Sequence, residues 1–288
     1  MLIGKSNLPQ ALLYIAGALL FLSGLAHIVV WLYLGGDWQG SISWRKPILF
    51  GVSTGLTVLS TAWFYPKLKP LKWDVYLCGI FGFAMVAEVA LITIQQWRGV
   101  ASHFNRSTAF DTLVENWMTF LIVIATFVLA EFTRRCFVSL SAANDLKLAI
   151  RGGMVFLMAS CLIGFAILFY GNFQVRVGAD PSTFGQAGIT KFPHGLAIHA
   201  VQILPLACWL LEKAGIPLDR RTRITGFLIA STTGFLVFSL VQTLSGKARF
   251  DLTFTSALVL ILSCLFLVPA VRQLTTFQMS RHGQSDSV

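Results

Sequence analysis

Eight apolar runs, each long enough to cross a lipid bilayer, constrain this chain more than any other feature. A membrane-spanning helix needs about 20 mostly apolar residues. Runs of that length lie at about 9–34, 47–66, 75–97, 117–138, 148–170, 194–212, 224–246 and 253–272. Only 12% of the residues are charged, against about 25% in an ordinary soluble domain. Because lipid accepts apolar surface that a soluble core could not bury, we predict an integral membrane protein.

The predicted fold is all-α, a polytopic membrane bundle of about eight transmembrane helices. One bundle domain would cover residues 1–272, and the polar tail 273–288 is predicted to be disordered in the cytoplasm. The first apolar run is too long for a signal-peptide core, so we interpret it as a retained first helix. No matching motif relates residues 1–140 to residues 141–280, so the sequence gives no ground to claim an internal duplication.

The distribution of lysine and arginine between alternate loops predicts the orientation of the chain. The loops on the side of the N-terminus carry 14 of the 22 basic residues, and the loops on the other side carry 8. Cytoplasmic loops are the more basic ones, so both termini are predicted to be cytoplasmic. The net charge of +10 is spread over short clusters between apolar runs. We therefore expect the lipid bilayer, and not nucleic acid, as the partner of this charge.

Three motifs flank the second, third and sixth runs. They are Trp44-Arg45-Lys46-Pro47-Ile48-Leu49-Phe50 with Ser53, Gln96-Trp97-Arg98-Gly99-Val100-Ala101-Ser102-His103-Phe104-Asn105, and His194-Gly195-Leu196-Ala197-Ile198-His199-Ala200-Val201-Gln202-Ile203-Leu204-Pro205. As a set they resemble a family of uncharacterised bacterial multi-pass inner-membrane proteins, over about residues 20–250. In the last motif the chain departs from the family, because the glycine directly follows His194. The resemblance implies a place in the bacterial cytoplasmic (inner) membrane and no particular activity.

A buried carboxylate and several polar residues on the outer side form the first group of candidates. Glu88 is the one carboxylate deep inside an apolar run, and Gln95 follows on the same helical face. An ionised carboxylate near the bilayer centre costs about 2.5–3.5 kcal/mol. Glu88 should therefore face the bundle interior, be protonated or have a partner. The candidates for proton coupling or substrate binding are Glu88, Gln95, Arg98, Gln202, Arg45 and Lys46.

Histidines form the second group, because four of the five lie on the predicted outer side. Imidazole is the commonest metal ligand, and helix pairs supply axial ligands to haem. Gly24 and Gly195 precede His27 and His199 by about one turn and would leave room for a flat macrocycle. The candidates for cofactor binding are His27, His199, His103 and His194, and the metal ligands would be His27 and His199. Haem b and a transition metal both stay open as the cofactor, while a packing role is the commoner one for a single histidine.

The candidates are predicted to converge in one cavity. Helical rise puts His27, Glu88 and Gln202 at about 12–15 Å below the outer interface, with His199 one turn shallower. The first, third and sixth helices should therefore meet, under a roof formed by Arg98–Asp111 with Phe104 as a plug. A small-molecule ligand would enter from the outer face. Four functions stay open: a redox or cofactor protein, a proton-coupled permease of a small anionic solute, a membrane-embedded metal hydrolase, and a structural or accessory subunit.

Overall fold

The computed structural model describes residues 7–273 and is mostly helical. Its elements are α1 (Leu8–Leu34), α2 (Arg45–Phe64, followed by a 3-10 turn at Tyr65–Lys67), α3 (Asp74–Trp97), α4 (Ala109–Val138), α5 (Asn144–Arg176), β1 (Thr183–Phe184), β2 (Gly188–Ile189), α6 (Lys191–Ile198), α7 (Ala200–Lys213), α8 (Leu218–Leu244) and α9 (Phe254–Leu265). Within these residues, eight helical stretches are long and apolar enough to cross a membrane. The predicted number of helices that are long and apolar enough to span a membrane is therefore confirmed. The predicted disordered tail lies, after Gln273, outside the described residues.

The chain divides into two compact units, unit 1 (Met1–Leu140) and unit 2 (Ser141–Val288). Each unit contains four of the eight candidate spans, and each is described by itself. In unit 2 the second span consists of α6 and α7, and β1 pairs antiparallel with β2 in the loop before it. The prediction of one domain over residues 1–272 stays a prediction.

Glycines bring the first two helices of unit 1 into close contact. A methyl group added at Gly24 of α1 would lie 2.6 Å from the backbone nitrogen of Val52 in α2. One added at Gly51 would lie 2.7 Å from the Cα atom of Gly24. Small residues allow such an approach, which gives membrane helices their dispersion contacts. The space opposite Gly24, predicted to suit a macrocycle, is therefore filled by the backbone of α2.

A buried ion pair joins α3 and α4 at the end of unit 1 away from the loop that links them. Arg135 donates to Oδ1 of Asp74 at 2.7 Å and to the carbonyl oxygen of Lys69 at 2.8 Å. The side chains of Arg135 and Asp74 are 3% and 6% exposed. Next to this pair Phe132 packs against Phe81, with ring centroids 6.0 Å apart. The interaction fixes α4 against α3 at this end of unit 1.

Unit 2 repeats the packing order of unit 1. In unit 1, α1 packs on α2 and α3, α2 packs on α3, and α3 packs on α4. In unit 2, α5 packs on the α6–α7 span and on α8, that span packs on α8, and α8 packs on α9. Both units therefore pair the first helix with the second and third, the second with the third, and the third with the fourth.

The third helices of the two units also end in the same way. Gln95 of α3 stands four residues before Gly99, and Gln242 of α8 stands four residues before Gly246. Both glycines have a left-handed backbone, with φ of 69° and 66°. The residue after each glycine donates its N–H to the carbonyl oxygen of that glutamine, at 3.1 Å in both units. This is a helix termination of the Schellman type, and both glutamine side chains are buried.

The residue that follows each glutamine anchors the start of the second helix. Gln96 accepts a hydrogen bond from the backbone N–H of Ser43 at 2.8 Å. Thr243 donates to the carbonyl oxygen of Ile189 at 3.0 Å. Ser43 and Ile189 each lie four residues before a proline of the following helix. The two units therefore share the order of their helix contacts, the turn after their third helix and the anchoring of their second helix, a likeness that we call the structural repeat.

The sixth span is interrupted at a different place from the one that the sequence suggests. Pro205 predicts a kink, because it cannot donate to the carbonyl oxygen of Val201. The structure continues as helix through Pro205 and breaks at His199, where α6 ends and α7 begins. The carbonyl oxygen of His199 accepts hydrogen bonds from the N–H groups of Gln202 and Ile203. The break therefore puts a predicted cofactor ligand at a helix junction.

Candidate functional site

A network of hydrogen bonds ties α3 to α4 at the end of unit 1 that carries the loop between them, which we call the loop end. Gln95 is fully buried and donates to Oδ1 of Asp111 at 3.0 Å. Arg98 donates to the same oxygen at 2.6 Å and also to Oε1 of Gln95. The hydroxyl group of Thr108 donates to Oδ2 of Asp111 at 2.7 Å. Gln95 and Arg98, predicted to bind substrate or couple protons, thus hold this carboxylate.

The same network explains why α4 begins at Ala109 and not at the predicted residue 117. The hydroxyl oxygen of Thr108 accepts a hydrogen bond from the N–H of Asp111, which caps the helix. One turn further, Glu115 is 3% exposed, and its Oε1 lies 3.8 Å from Nε of Arg106. Sequence reasoning missed Glu115 by assigning this polar stretch to a loop. An acidic residue three positions after a threonine was the available signal for an earlier helix start.

Glu88 lies in the middle of α3 with its side chain buried. The residue is 8% exposed, and its Oε2 has no hydrogen-bond partner among the described residues. Gln95 lies seven residues on and therefore shares its face of the helix. Glu88 thus faces protein, which is one of the three alternatives that the sequence leaves open. A group in this setting is costly to ionise and is suited to holding a proton.

His27 of α1 forms an aromatic cluster with two tryptophans at the loop end of unit 1. Its Nδ1 lies 2.8 Å from the carbonyl oxygen of Ser23, and its Nε2 accepts a hydrogen bond from the indole of Trp97 at 3.3 Å. The imidazole also stacks on Trp44, with ring centroids 6.1 Å apart. Both nitrogens are therefore occupied, as expected for a neutral imidazole with its hydrogen on Nδ1.

The other candidates of unit 1 make local contacts at the same end. Nδ1 of His103 lies 2.9 Å from the hydroxyl oxygen of Ser102, and the ring stacks on Phe50. Arg45 donates to the side chain of Gln39 at 2.7 Å, and Lys46 donates to the carbonyl oxygen of Ser41 at 2.6 Å. Phe104, predicted as a plug, is half-buried with a positive φ of 59°.

In unit 2, His194 links α6 to α5. Its Nδ1 lies 2.9 Å from the carbonyl oxygen of Ser160, whose hydroxyl group donates to the carbonyl oxygen of His194 at 3.1 Å. Ser160 is fully buried. A methyl group at Gly164 would touch the His194 ring at 3.4 Å, so the glycine gives that ring its space. This reciprocal pair is a helix–helix contact of the kind that polar residues make in membranes.

The remaining candidates of unit 2 are His199 and Gln202, and two loops of the same unit are held by other polar side chains. His199 and Gln202 are half-buried around the break between α6 and α7. The amide of Gln242 donates to the carbonyl oxygens of Ala248 and Asp251, at 2.8 and 3.1 Å, and so holds the loop before α9. In the loop after α5, the hydroxyl group of Thr183 donates to Asp180 and keeps the pKa of that carboxyl below its usual range.

The candidates therefore fall into two groups. His27, Glu88, Gln95, Arg98, His103, Arg45 and Lys46 belong to unit 1, and His194, His199 and Gln202 belong to unit 2. Their convergence in one cavity stays a prediction. In residues 7–273, no group of three or more His, Cys, Asp or Glu side chains is arranged to hold a metal ion. One recess is lined by apolar residues of unit 2 and another by Leu113, Asn116, Trp117 and Phe120 of α4, and neither is lined by a candidate.

Comparison of the chain with protein-family models, curated proteins and solved structures found no match in any of the three.

Proposed function

We propose that this protein is a proton-coupled permease in which Glu88 binds and releases the coupled proton. The observation that carries this proposal is a buried carboxyl group, within a candidate membrane span, with an oxygen that has no hydrogen-bond partner among the described residues. Buried polar groups are nearly always paired, so an exception requires an explanation. Ionisable residues inside membrane helices commonly mark proton pathways. Uptake and release of one proton would remove and restore the charge of Glu88.

The structural repeat supports a functional role for Glu88 over a structural one. Matching Gln95 with Gln242 aligns Glu88 with Phe235 of α8. Unit 2 builds the equivalent helix, with the same glycine turn and buried glutamine, around a half-buried phenylalanine at this position. The fold therefore does not require a carboxyl group there. Internal repeats are also frequent in secondary transporters.

The redox alternative has less support from the same region. An iron or another metal bound at Nε2 of His27 would have to displace the indole of Trp97, which donates to that nitrogen. The side of α1 that carries Gly24 faces the backbone of α2 at contact distance. Both features point away from a macrocycle between these two helices. Bound haem or a metal ion in the purified protein would favour the redox alternative.

A small anionic solute suits the charges at the loop end of unit 1. Arg45 stands at the start of α2 and donates to the uncharged side chain of Gln39. Lys46 lies beside it at the same helix end. Arg98 contributes less positive charge, because Asp111 pairs with it at 2.6 Å. Anions are attracted to clustered cations at such a surface.

We further propose that both termini lie in the cytoplasm and that the loop end of unit 1 faces outward. The support is the excess of basic residues in the alternate loops, 14 of 22. The three motifs and their resemblance support the inner membrane of a bacterium as the location.

Reporter fusions test this orientation. Fusions after Lys69, Leu140 and Pro217 are expected to be active only with a cytoplasmic reporter. Fusions near Asn105 and Asp180 are expected to be active only with an external one. The physical reason is that lysine-rich and arginine-rich short loops resist translocation. The opposite pattern at all five positions would reverse the orientation and put the loop end in the cytoplasm.

The test of the coupling proposal uses protein purified into vesicles that contain a pH-sensitive dye. Inorganic phosphate, lactate and succinate are added outside, and both solute uptake and internal acidification are followed. We expect one of these anions to enter together with protons. Glu88→Gln should lower the proton-linked flux at least about tenfold, because the amide keeps the shape of the side chain but cannot ionise.

Glu131→Gln is the matched control, since Glu131 lies in α4 with an ion pair to Arg134 and is partly exposed. It should transport like the wild type. Labelling by dicyclohexylcarbodiimide, which modifies protonated carboxyl groups in apolar surroundings, gives a readout that needs no solute. Label on Glu88 that decreases between about pH 5 and about pH 9 supports the proposal. Absence of label throughout, or a haem spectrum of the purified protein, overturns it.

A further inference from the structure

The contacts of α3 and α4 define which residues face each other between the two helices. Gln95 bonds to Asp111 at the loop end, and Asp74 bonds to Arg135 at the other end. Between them, Ile92 of α3 packs with Val114 and Met118 of α4. The two helices are therefore antiparallel and in a fixed register. No large separation of α3 from α4 is compatible with both end contacts.

Two glutamates lie inside this interface. Glu88 is four residues before Ile92 on α3, and Glu115 is four residues after Asp111 on α4, so each shares a face with residues that touch the opposite helix. In this register Glu115 lies about one helical turn, about 5 Å, nearer to the loop end than Glu88. The two carboxyl groups thus form a row that leads from the middle of α3 toward the loop.

Glu115 resembles Glu88 in burial but has a cation next to it. It is 3% exposed, the backbone N–H of Asn105 lies next to the carboxyl group, and neither carboxyl oxygen accepts a hydrogen bond of normal geometry among the described residues. Its Oε1 lies 3.8 Å from Nε of Arg106, a loop residue whose side chain is 54% exposed. Asp111, on the same face, is held by Gln95, Arg98 and Thr108. Arg106 is therefore the charged loop residue nearest to Glu115, and Glu88 is the titratable group on the face of α3 that packs against α4.

The structural repeat again allows position 115 to be compared with its equivalent in unit 2. Matching Thr108 with Thr253, the capping residues of α4 and α9, aligns Glu115 with Leu260. The two preceding positions are identical in the two units, with Leu113 aligned to Leu258 and Val114 to Val259. Leucine thus serves at this position of the same helix in unit 2. A carboxyl group at position 115 is not a requirement of the fold.

We infer that Glu115 is a second proton-binding carboxyl group, which relays protons between Glu88 and the solution at the loop end under the control of Arg106. This inference rests on the proposed function of Glu88. In the inward step the O–H bond of protonated Glu115 breaks, the proton crosses a bridging water, and an O–H bond forms on the Glu88 carboxylate. Glu115 is left as a carboxylate beside Arg106, which compensates its charge. A new proton from solution then completes the cycle.

Infrared difference spectroscopy of the purified protein in lipid tests this inference. Each protonated buried carboxyl group has a carbonyl band separate from the amide bands, and the band disappears on ionisation. We expect two such bands, one lost in Glu88→Gln and the other lost in Glu115→Gln. After a rapid change of pH, Glu115→Gln and Glu115→Leu should slow the protonation of Glu88 at least about tenfold, because the relay group is missing. The final amplitude of the Glu88 band should not change.

Arg106→Gln leaves Glu115 in place and changes only an exposed side chain. The Glu115 band should then persist to higher pH, because the nearest cation has been removed. Glu131→Gln, away from this interface, should alter neither the bands nor their rates. Size-exclusion profiles report whether each variant is folded. Glu115→Leu should fold, because unit 2 has Leu260 at the equivalent position.

The outcomes separate the inference from the proposed function. If the Glu88 band titrates but its rate is unchanged in both Glu115 variants, the relay is wrong and the role of Glu88 stands. If no band belongs to Glu115, the relay is also wrong. If no band belongs to Glu88 at any pH, the proposed function fails and the relay fails with it.

Discussion

Asp74→Ala is expected to lower the free energy of unfolding by about 3–5 kcal/mol, the largest effect that we predict for one substitution. The side chains of Asp74 and Arg135 are 6% and 3% exposed, and the guanidinium donates to both carboxylate oxygens, at 2.7 and 3.3 Å. Alanine would leave this guanidinium buried without its counter-charge. Thermal unfolding in a single detergent, followed by circular dichroism, measures the loss.

An exposed ion pair on the same helix provides the control. Arg134 pairs with Glu131 at 2.7 Å, and their side chains are 60% and 29% exposed. Arg134→Ala should cost no more than about 1 kcal/mol, because solvent screens this pair. The double variant Asp74→Leu with Arg135→Met should regain most of the stability, since an apolar pair leaves no buried charge. Equal losses in Asp74→Ala and Arg134→Ala would contradict a buried pair.

Gly24→Ala is expected to destabilise the protein by about 2 kcal/mol through overpacking. The new methyl group would lie 2.6 Å from the backbone nitrogen of Val52, and backbone atoms cannot move aside as a flexible side chain does. The two helices would have to separate, with loss of their close contact. The apparent unfolding temperature and the yield of monodisperse protein report this change.

Gly79→Ala is the matched substitution in the same unit. A methyl group there would meet only Cδ1 of Leu12, at 3.8 Å, which is an ordinary contact. This variant should be neutral or stabilised by about 0.5–1 kcal/mol, because alanine favours a helix. If both alanine variants behave alike, α1 and α2 do not approach as closely at Gly24 as described.

The sequence was sufficient to predict the spans and several of the buried polar residues, since both follow from transfer free energy. A run of about 20 apolar residues is stable only in lipid or in a protein core, because its exposure to water is unfavourable. The same reasoning marks Glu88, because an isolated carboxyl group in such a run must face protein, be protonated or have a partner. The structure places Glu88 on the buried side of α3, in agreement.

The predicted starts of two helices were wrong, because their first turns carry polar residues whose partners are distant in the chain. The first turns of α4 carry Asp111 and Glu115, and those of α8 carry Arg221, so both helices were predicted to begin later than they do. Arg221 is buried against Asp145, with 3.0 Å between Nε and Oδ2. Hydropathy scores such residues as exposed, whereas a partner 76 residues away in the chain makes their burial possible.

The structural repeat leaves no matching motif in the sequence for a related reason. Gln95 and Gln242 carry out the same task with different partners, a carboxylate in unit 1 and backbone carbonyl oxygens in unit 2. Gln96 and Thr243 anchor the second helix with opposite donor and acceptor roles. Only backbone geometry and the order of helix contacts reveal such equivalence, because different side chains satisfy the same position.

By itself, the sequence determined that the chain is helical and apolar enough to span a membrane eight times, and that Glu88 is an exceptional residue among its apolar neighbours. Each of these conclusions depends on local composition, which acts through the transfer of side chains between water and an apolar phase. The tertiary structure decided which polar residues meet: Gln95 with Asp111, Trp97 with His27, and Arg106 with Glu115. Those pairings depend on helix register and side-chain direction, which arise only when separate helices pack.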